Sequence, residues 1–311
     1  MFTKFLDPKN DFAFKRIFGS ERNKDILIHF LNDMIPFKGG SPIQDVTFLK
    51  PVQDPETAAK KVSIVDILCK DHLGNTYVVE MQVAKEKGFE KRAQYYASKA
   101  YISQMHANGE YHDLKEVIFL AIVDFVMFPQ KTDGKSDHVI LDKKTLENDL
   151  KDFSFTFLEL PKFKKDIHHL TDIVDKWAYF FKHAEETSEK EISQLAGKDA
   201  IIERAYDELN RFNWNAQELR TYDHAVKQEW DYNACMAQKF DEGMEKGIAK
   251  GIAEGMEKGI AEGMAKGAEK MAIDMLKEGM SDSMISKITK ISLDDLCLLK
   301  IQSTTSTKDS N

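Results

Sequence analysis

Val62–Ala84 reads VSIVDILCKDHLGNTYVVEMQVA. Two apolar, β-branched runs flank a short polar loop containing Gly74-Asn75. Runs of this composition on either side of such a loop read as adjacent antiparallel strands. Each run holds an acid where a buried strand has little use for one: Asp66 inside Ile64–Leu68, and Glu80 inside Val78–Val83. Apolar residues occupy both parities around them, which predicts strands covered on both faces. A buried carboxylate is costly unless it is paired or bound to a metal.

Side chains alternate along a strand, so Ile64, Asp66 and Leu68 share one face, and Val78, Glu80 and Gln82 share one face. If the connecting loop has an odd number of residues, Asp66 faces position 80 or 82 on the same side. Opposed residues of an antiparallel pair lie roughly 4.5–5.5 Å apart at Cα. Both carboxylates then reach one divalent cation. Mg²⁺ takes oxygen ligands of this kind, with water and substrate phosphate completing its shell. The competing reading makes Asp66 and Glu80 edge residues, or partners of lysines.

Asp66 followed by Glu80-Met81-Gln82 resembles the D…(D/E)-x-K signature of the PD-(D/E)XK nuclease superfamily. The closer resemblance is to its branch of recombination-promoting nucleases and transposases, in which ExQ stands for ExK. Asp11–Gly19 (DFAFKRIFG), Leu27–Asn32 (LIHFLN), Arg92–Tyr96 and the glycine-punctuated tail resemble that branch as well, so the likeness covers most of the chain. It implies an α/β fold, a restriction-endonuclease-like mixed sheet flanked by helices, with an all-α C-terminal extension. It implies a metal-dependent DNA endonuclease associated with recombination or mobile elements, using Mg²⁺ or Mn²⁺. Asp66 and Glu80 would hold the metal, with Asp11 as a further ligand. Asp66, Glu80, Gln82 and Lys15 would form the catalytic set. Val65 stands where the superfamily name has proline. Gln82 cannot supply the positive charge of the lysine it replaces, so Lys85, a helix lysine or Lys15 is expected to do so. Two rivals stay open: a degenerate nuclease fold that binds DNA or a protein without cutting, and a helical self-assembly protein.

With 311 residues, the chain has room for one full domain and a second module. No apolar run approaches the roughly 18 residues that cross a bilayer, so no membrane partner is expected. The N-terminal MFTKFLDPKND is too polar for a signal peptide. Cys69, Cys235 and Cys297 are scattered and odd in number, which suits a reducing cytoplasm and no disulfide framework. A net charge of −8 argues against plain electrostatic adhesion to DNA. Basic residues do concentrate in Lys85–Lys99, where Lys85, Arg92, Tyr95 and Lys99 are the candidate DNA contacts. That run reads equally well as a solvated helix face.

Phe14, Ile17 and Phe18, then Ile26, Leu27, Phe30, Leu31 and Met34, have helical spacing and predict one interrupted helix or two short ones ending before Pro36. Asp11 and Lys15 sit one turn apart. Gly39–Pro42 is a break. Asp45–Lys50 predicts a first strand, and Gln53–Lys61 a mobile polar loop beside the site. Phe89–His106 predicts a helix with Tyr95 and Tyr96 in packing roles. Val117–Phe125 predicts a buried central strand, Pro129–Asp137 a polar loop, and Phe153–Leu160 another strand. Helical periodicity runs from about Leu170 to Phe240. The domain reading is 1–168 nuclease-like core, 169–240 helices on that core, 241–270 repeat, 271–301 small helical module and 302–311 disordered tail.

Glycine recurs at every fourth position from Gly243 to Gly267, between Met, Ile, Ala, Glu and Lys. The charges exclude a membrane span. A period of four overshoots the ~3.6 residues of a helical turn, so the glycine row drifts around the helix. Self-association along it and a flexible charged spacer are the two readings, and a homo-oligomer through the C-terminal helices is the expected assembly. Ser281 and Ser292 read as N-caps of short helices in a helix-turn-helix-like module.

Overall fold

The computed structural model describes residues 3–36, 42–53, 63–105, 109–197 and 199–306. These form two units, residues 1–229 and 230–311.

In the first unit, β1 (Val46–Phe48), β4 (Ile67–Asp71), β5 (Thr76–Gln82), β6 (Val117–Val123), β8 (Phe153–Glu159) and β7 (Lys135–Val139) lie side by side in that order. The β4–β5 hairpin is antiparallel, and β5, β6 and β8 run parallel. Parallel neighbours need a long crossover. The helix α3 (Phe89–Ile102) supplies it between β5 and β6. Every residue of β6 is buried, as expected of a strand covered on both faces. Val52–Gln53 (β2) and Ser63–Ile64 (β3) pair in a separate two-stranded sheet.

One face of the sheet, with Val78, Phe119 and Ala121, packs on Ala93, Ala97 and Ala100 of α3. The small alanines let the helix lie close. The opposite face, with Tyr77, Val79 and Leu120, packs in one core with α1 (Asp11–Phe18), α2 (Lys24–Met34), α4 (Ile173–His183), α5 (Glu189–Ala196) and α6 (Ala200–Leu209). Phe14, Phe18, Phe30, Trp177 and Phe181 make an aromatic cluster with ring centroids 4.9–6.2 Å apart. The N-terminal segment is tied to the far side of this layer. Leu6 N–H donates to the Leu209 carbonyl at 3.0 Å, and Arg211 N–H donates to the Lys4 carbonyl at 2.9 Å.

Two expectations are corrected. Lys135–Val139 is an edge strand, where a polar loop was predicted through Asp137. Its hydrogen bonds to β8 override a polar composition that carries no strand signal. Asp66 is not inside a strand. The chain bends there, because Ser63–Ile64 pairs with β2 while the ladder with β5 begins at Ile67. The expected mobile loop falls largely on residues 54–62, outside the described residues.

In the second unit, α7 (Ala216–Lys277), which begins in the first, carries the whole glycine repeat in helical form. Gly279, at φ +80°, ends it. α8 (Asp282–Thr289) and α9 (Leu293–Ser306) close a small core of Ala272, Ile285 and Leu296. Ser292 caps α9 by accepting the Asp295 N–H at 3.1 Å. Ser281 makes no side-chain cap. α9 runs on to Ser306, into the stretch read as a disordered tail.

Candidate active site

The β4–β5 register sets Ile67 against Val79 and Leu68 against Val78. One step further, Asp66 stands against Glu80. The bend takes the Asp66 N–H out of the ladder, and it donates to Glu80 Oε1 at 3.2 Å. Asp66 Oδ2 in turn accepts the Met81 N–H at 2.9 Å. Each carboxylate thus holds the backbone of the other's strand, and the pair is fixed by main chain on both sides. Glu80 is 5% exposed, so its charge has little water to stabilise it.

Cationic side chains approach from both layers. α1 is capped by Asn10, whose side chain accepts from Phe12 and Ala13 N–H, and it buries Phe14, Ile17 and Phe18. That leaves Asp11 and Lys15 on its other side. Lys15 Nζ lies 3.3 Å from Asp66 Oδ1 and 2.5 Å from Asp11 Oδ1. From the opposite layer, Arg92 of α3 donates to Gln82 Oε1 and pairs with Glu86. Its guanidinium sits 4.8 Å from the Phe89 ring centroid. Gln82 Nε2 donates to the Ala84 carbonyl at 2.9 Å, so this amide is engaged at both ends.

The electrostatics follow from this crowding. Burial pushes the Glu80 carboxyl well above the usual carboxylate range, and the Asp66 charge pushes it further, against Arg92 and Lys15. Burial also raises Asp66, against the Met81 N–H and Lys15. Burial alone would lower Lys15, but its ion pairs with Asp11 and Asp66 outweigh this and hold it charged. Burial, then Glu80, raises the Tyr96 phenol. The acid pair therefore tends to hold a proton that a cation could displace. Two hard oxygen donors left in that state fit a divalent cation. Among the described residues no group of three His, Cys, Asp or Glu converges on one point. Asp11 is joined to the pair through Lys15 and does not stand beside Glu80.

The candidate DNA contacts separate. Arg92 reaches Gln82. Lys85 Nζ instead donates to the Val126 carbonyl at 3.2 Å. Tyr95 is exposed, with Lys99 Nζ 5.7 Å from its ring centroid. Tyr96, read as a packing residue, lies within electrostatic reach of both acids. Its spacing of four from Arg92 was the available signal, since it puts the two on one helix face. Glu159, at the end of β8, had no such signal. Fully buried, it accepts the Phe128 N–H at 2.9 Å and Lys162 Nζ at 2.6 Å, fixing the loop after β6 on which Lys85 rests.

A mixed sheet whose central hairpin presents Asp66 and Glu80-x-Gln82 between two helical layers has the layout of a PD-(D/E)XK nuclease fold. The family model described as PD-(D/E)XK nuclease family transposase matches residues 8–239, and the chain belongs to that family. Neither the curated proteins nor the solved structures gave a match. Among the described residues, no helix is long and apolar enough to cross a membrane.

Proposed function

We propose that the chain is a divalent-cation-dependent DNA endonuclease acting in recombination or mobile-element transfer. The observation that carries this is the Asp66–Glu80 pair, a half-buried and a buried carboxylate, each bonded to the backbone beside the other and both raised in pKa. Asp66 and Glu80 would hold the cation, Mg²⁺ or Mn²⁺. When bound, such an ion supplies a more acidic water and charge stabilisation at a phosphate. Lys15, beside Asp66, supplies the cation that Gln82 lacks. Arg92, seated on Gln82, adds positive charge on the α3 side, where a DNA phosphate is to be held. The aqueous compartment we assign is the cytoplasm, and we assign self-association to the C-terminal helices.

The test is plasmid nicking across divalent metals, with Asp66→Ala as control. Wild type nicks with Mg²⁺ or Mn²⁺, and the variant, folded by circular dichroism, does not. Equal activity in the two preparations refutes the assignment. The engaged Gln82 amide favours a second reading, a nuclease fold that binds without cutting. Calorimetry separates the two, since absence of Mg²⁺ and Mn²⁺ binding supports the second. Truncation after Gln238 followed by mass measurement tests the oligomer.

A further inference from the structure

Lys15 is shared unequally between two carboxylates. Its Nζ lies 2.5 Å from Asp11 Oδ1 and 3.3 Å from Asp66 Oδ1. Asp66 Oδ2 already accepts the Met81 N–H at 2.9 Å. The Asp66 oxygen with most left to offer a divalent cation is therefore the one that faces Lys15. An ammonium and a divalent ion cannot both sit against that oxygen without strong repulsion.

The two acids differ in how they are held. Asp66 is half-buried and tied to the backbone of β5. Asp11 is exposed, in the first turn of α1, where the positive end of a helix favours an acid. It stands four residues before Lys15, so the two share one helix face. Phe14, Ile17 and Phe18 bury the other side of α1 and hold the helix in place. The lysine stem is long and flexible. Lys15 can thus swing off Asp66 by rotating its own side chain and keep its pair with Asp11 throughout. Arg92 has no such alternative, since its guanidinium is engaged by Gln82 and Glu86 together.

We infer that Lys15 competes with the divalent cation for Asp66, and that Asp11 is a positioning residue that receives Lys15 when Asp66 turns to the cation. This rests on the cation-binding role proposed above for Asp66 and Glu80, and adds how the site exchanges one positive charge for another. Lys15 keeps an ion pair in either position, so it stays charged and beside the acids. Asp11, expected from the sequence to be a ligand, acts through the lysine instead. The two side chains therefore shift cation affinity in opposite directions. Losing Lys15 removes the competitor. Losing Asp11 leaves Lys15 with Asp66 as its remaining partner, and the lysine settles there.

The experiment is calorimetric titration of Mn²⁺ into the full chain, without DNA. Wild type, Lys15→Met, Asp11→Asn and the double variant are compared, each checked for folding by circular dichroism. Lys15→Met is expected to bind Mn²⁺ about tenfold tighter or more, a gain that a damaged fold would not give. Asp11→Asn is expected to bind roughly threefold more weakly or worse, and Asp11→Glu to recover most of that loss. In the double variant the Asp11 substitution is expected to cost under about twofold, because the residue it acts through is gone. Unchanged or weaker binding by Lys15→Met, repeated with Lys15→Gln, overturns the competition. A loss from Asp11→Asn that is as large in the Lys15→Met background as in wild type makes Asp11 a ligand and overturns its positioning role. No loss in wild type overturns that role as well. Absence of Mn²⁺ binding from every variant and from wild type overturns the cation site itself, and this inference with it.

Discussion

Glu80→Gln is expected to make the metal-free protein more stable. The amide keeps the size of the side chain and an oxygen to accept the Asp66 N–H, which now lies 3.2 Å from Glu80 Oε1. It removes a charge that burial first, and the half-buried Asp66 carboxylate second, make costly once Glu80 ionises. Two unit charges about 5 Å apart repel by roughly 3 kcal/mol at an effective dielectric near 20. Arg92 and Lys15 offset part of this, leaving a gain of about 1–3 kcal/mol by the same arithmetic. For a unit of 229 residues, that is roughly 2–12 °C in Tm. The sign depends on pH. An acid whose folded-state pKa is raised stabilises the fold below its ordinary value and loses that contribution as pH rises through the raised one. Wild type and variant therefore match below the ordinary carboxylate range, and the variant pulls ahead toward alkaline pH. Scanning calorimetry in a chelator from pH 4 to 9 reads the difference. A Tm that falls on substitution at alkaline pH, or a gain independent of pH, refutes the idea that uncompensated charge resides on this pair. Added Mg²⁺ should raise the Tm of wild type and leave the variant nearly unchanged.

Lys15→Met removes the cation beside Asp66 and is expected to slow nicking at least tenfold while DNA affinity, by fluorescence anisotropy, changes little. Arg92→Ala is expected to weaken DNA binding instead, and Arg92→Lys to restore it only in part, because lysine cannot reproduce the guanidinium seat on Gln82 and Phe89. Glu159→Ala takes the ion-pair partner from half-buried Lys162, leaving it only the Phe128 carbonyl, and strips the Met127 and Phe128 N–H groups of their acceptor. Urea unfolding should show a loss of about 3–5 kcal/mol. Trp177→Ala opens the aromatic cluster and should cost about 3–5 kcal/mol by the same measurement.

The hairpin, the buried β6 and the crossover helix were legible because each carries its own pattern: β-branched runs about Gly74-Asn75, an unbroken apolar run, and a small-residue stripe at helical spacing. β7 was not, because its partner β8 supplies what its own side chains lack. The opposition of Asp66 and Glu80 was legible as alternation and loop parity. The bend that frees the Asp66 N–H was not, since it arises from β2 and β3 forming a sheet of their own. Gln82 was visible as a departure from the family pattern. That Arg92 sits on it depends on where α3 lands, which no local pattern records.

Lys15 owes its position to residues synthesised much later. The backbone bonds from Leu6 to Leu209 and from Arg211 to Lys4 anchor the segment leading into α1. A ribosome-bound chain holding both acids still lacks that anchor until residue 211 has emerged. Under the proposed function, hydrolytic competence is deferred to the end of the domain's synthesis, and premature termination products lack a finished centre.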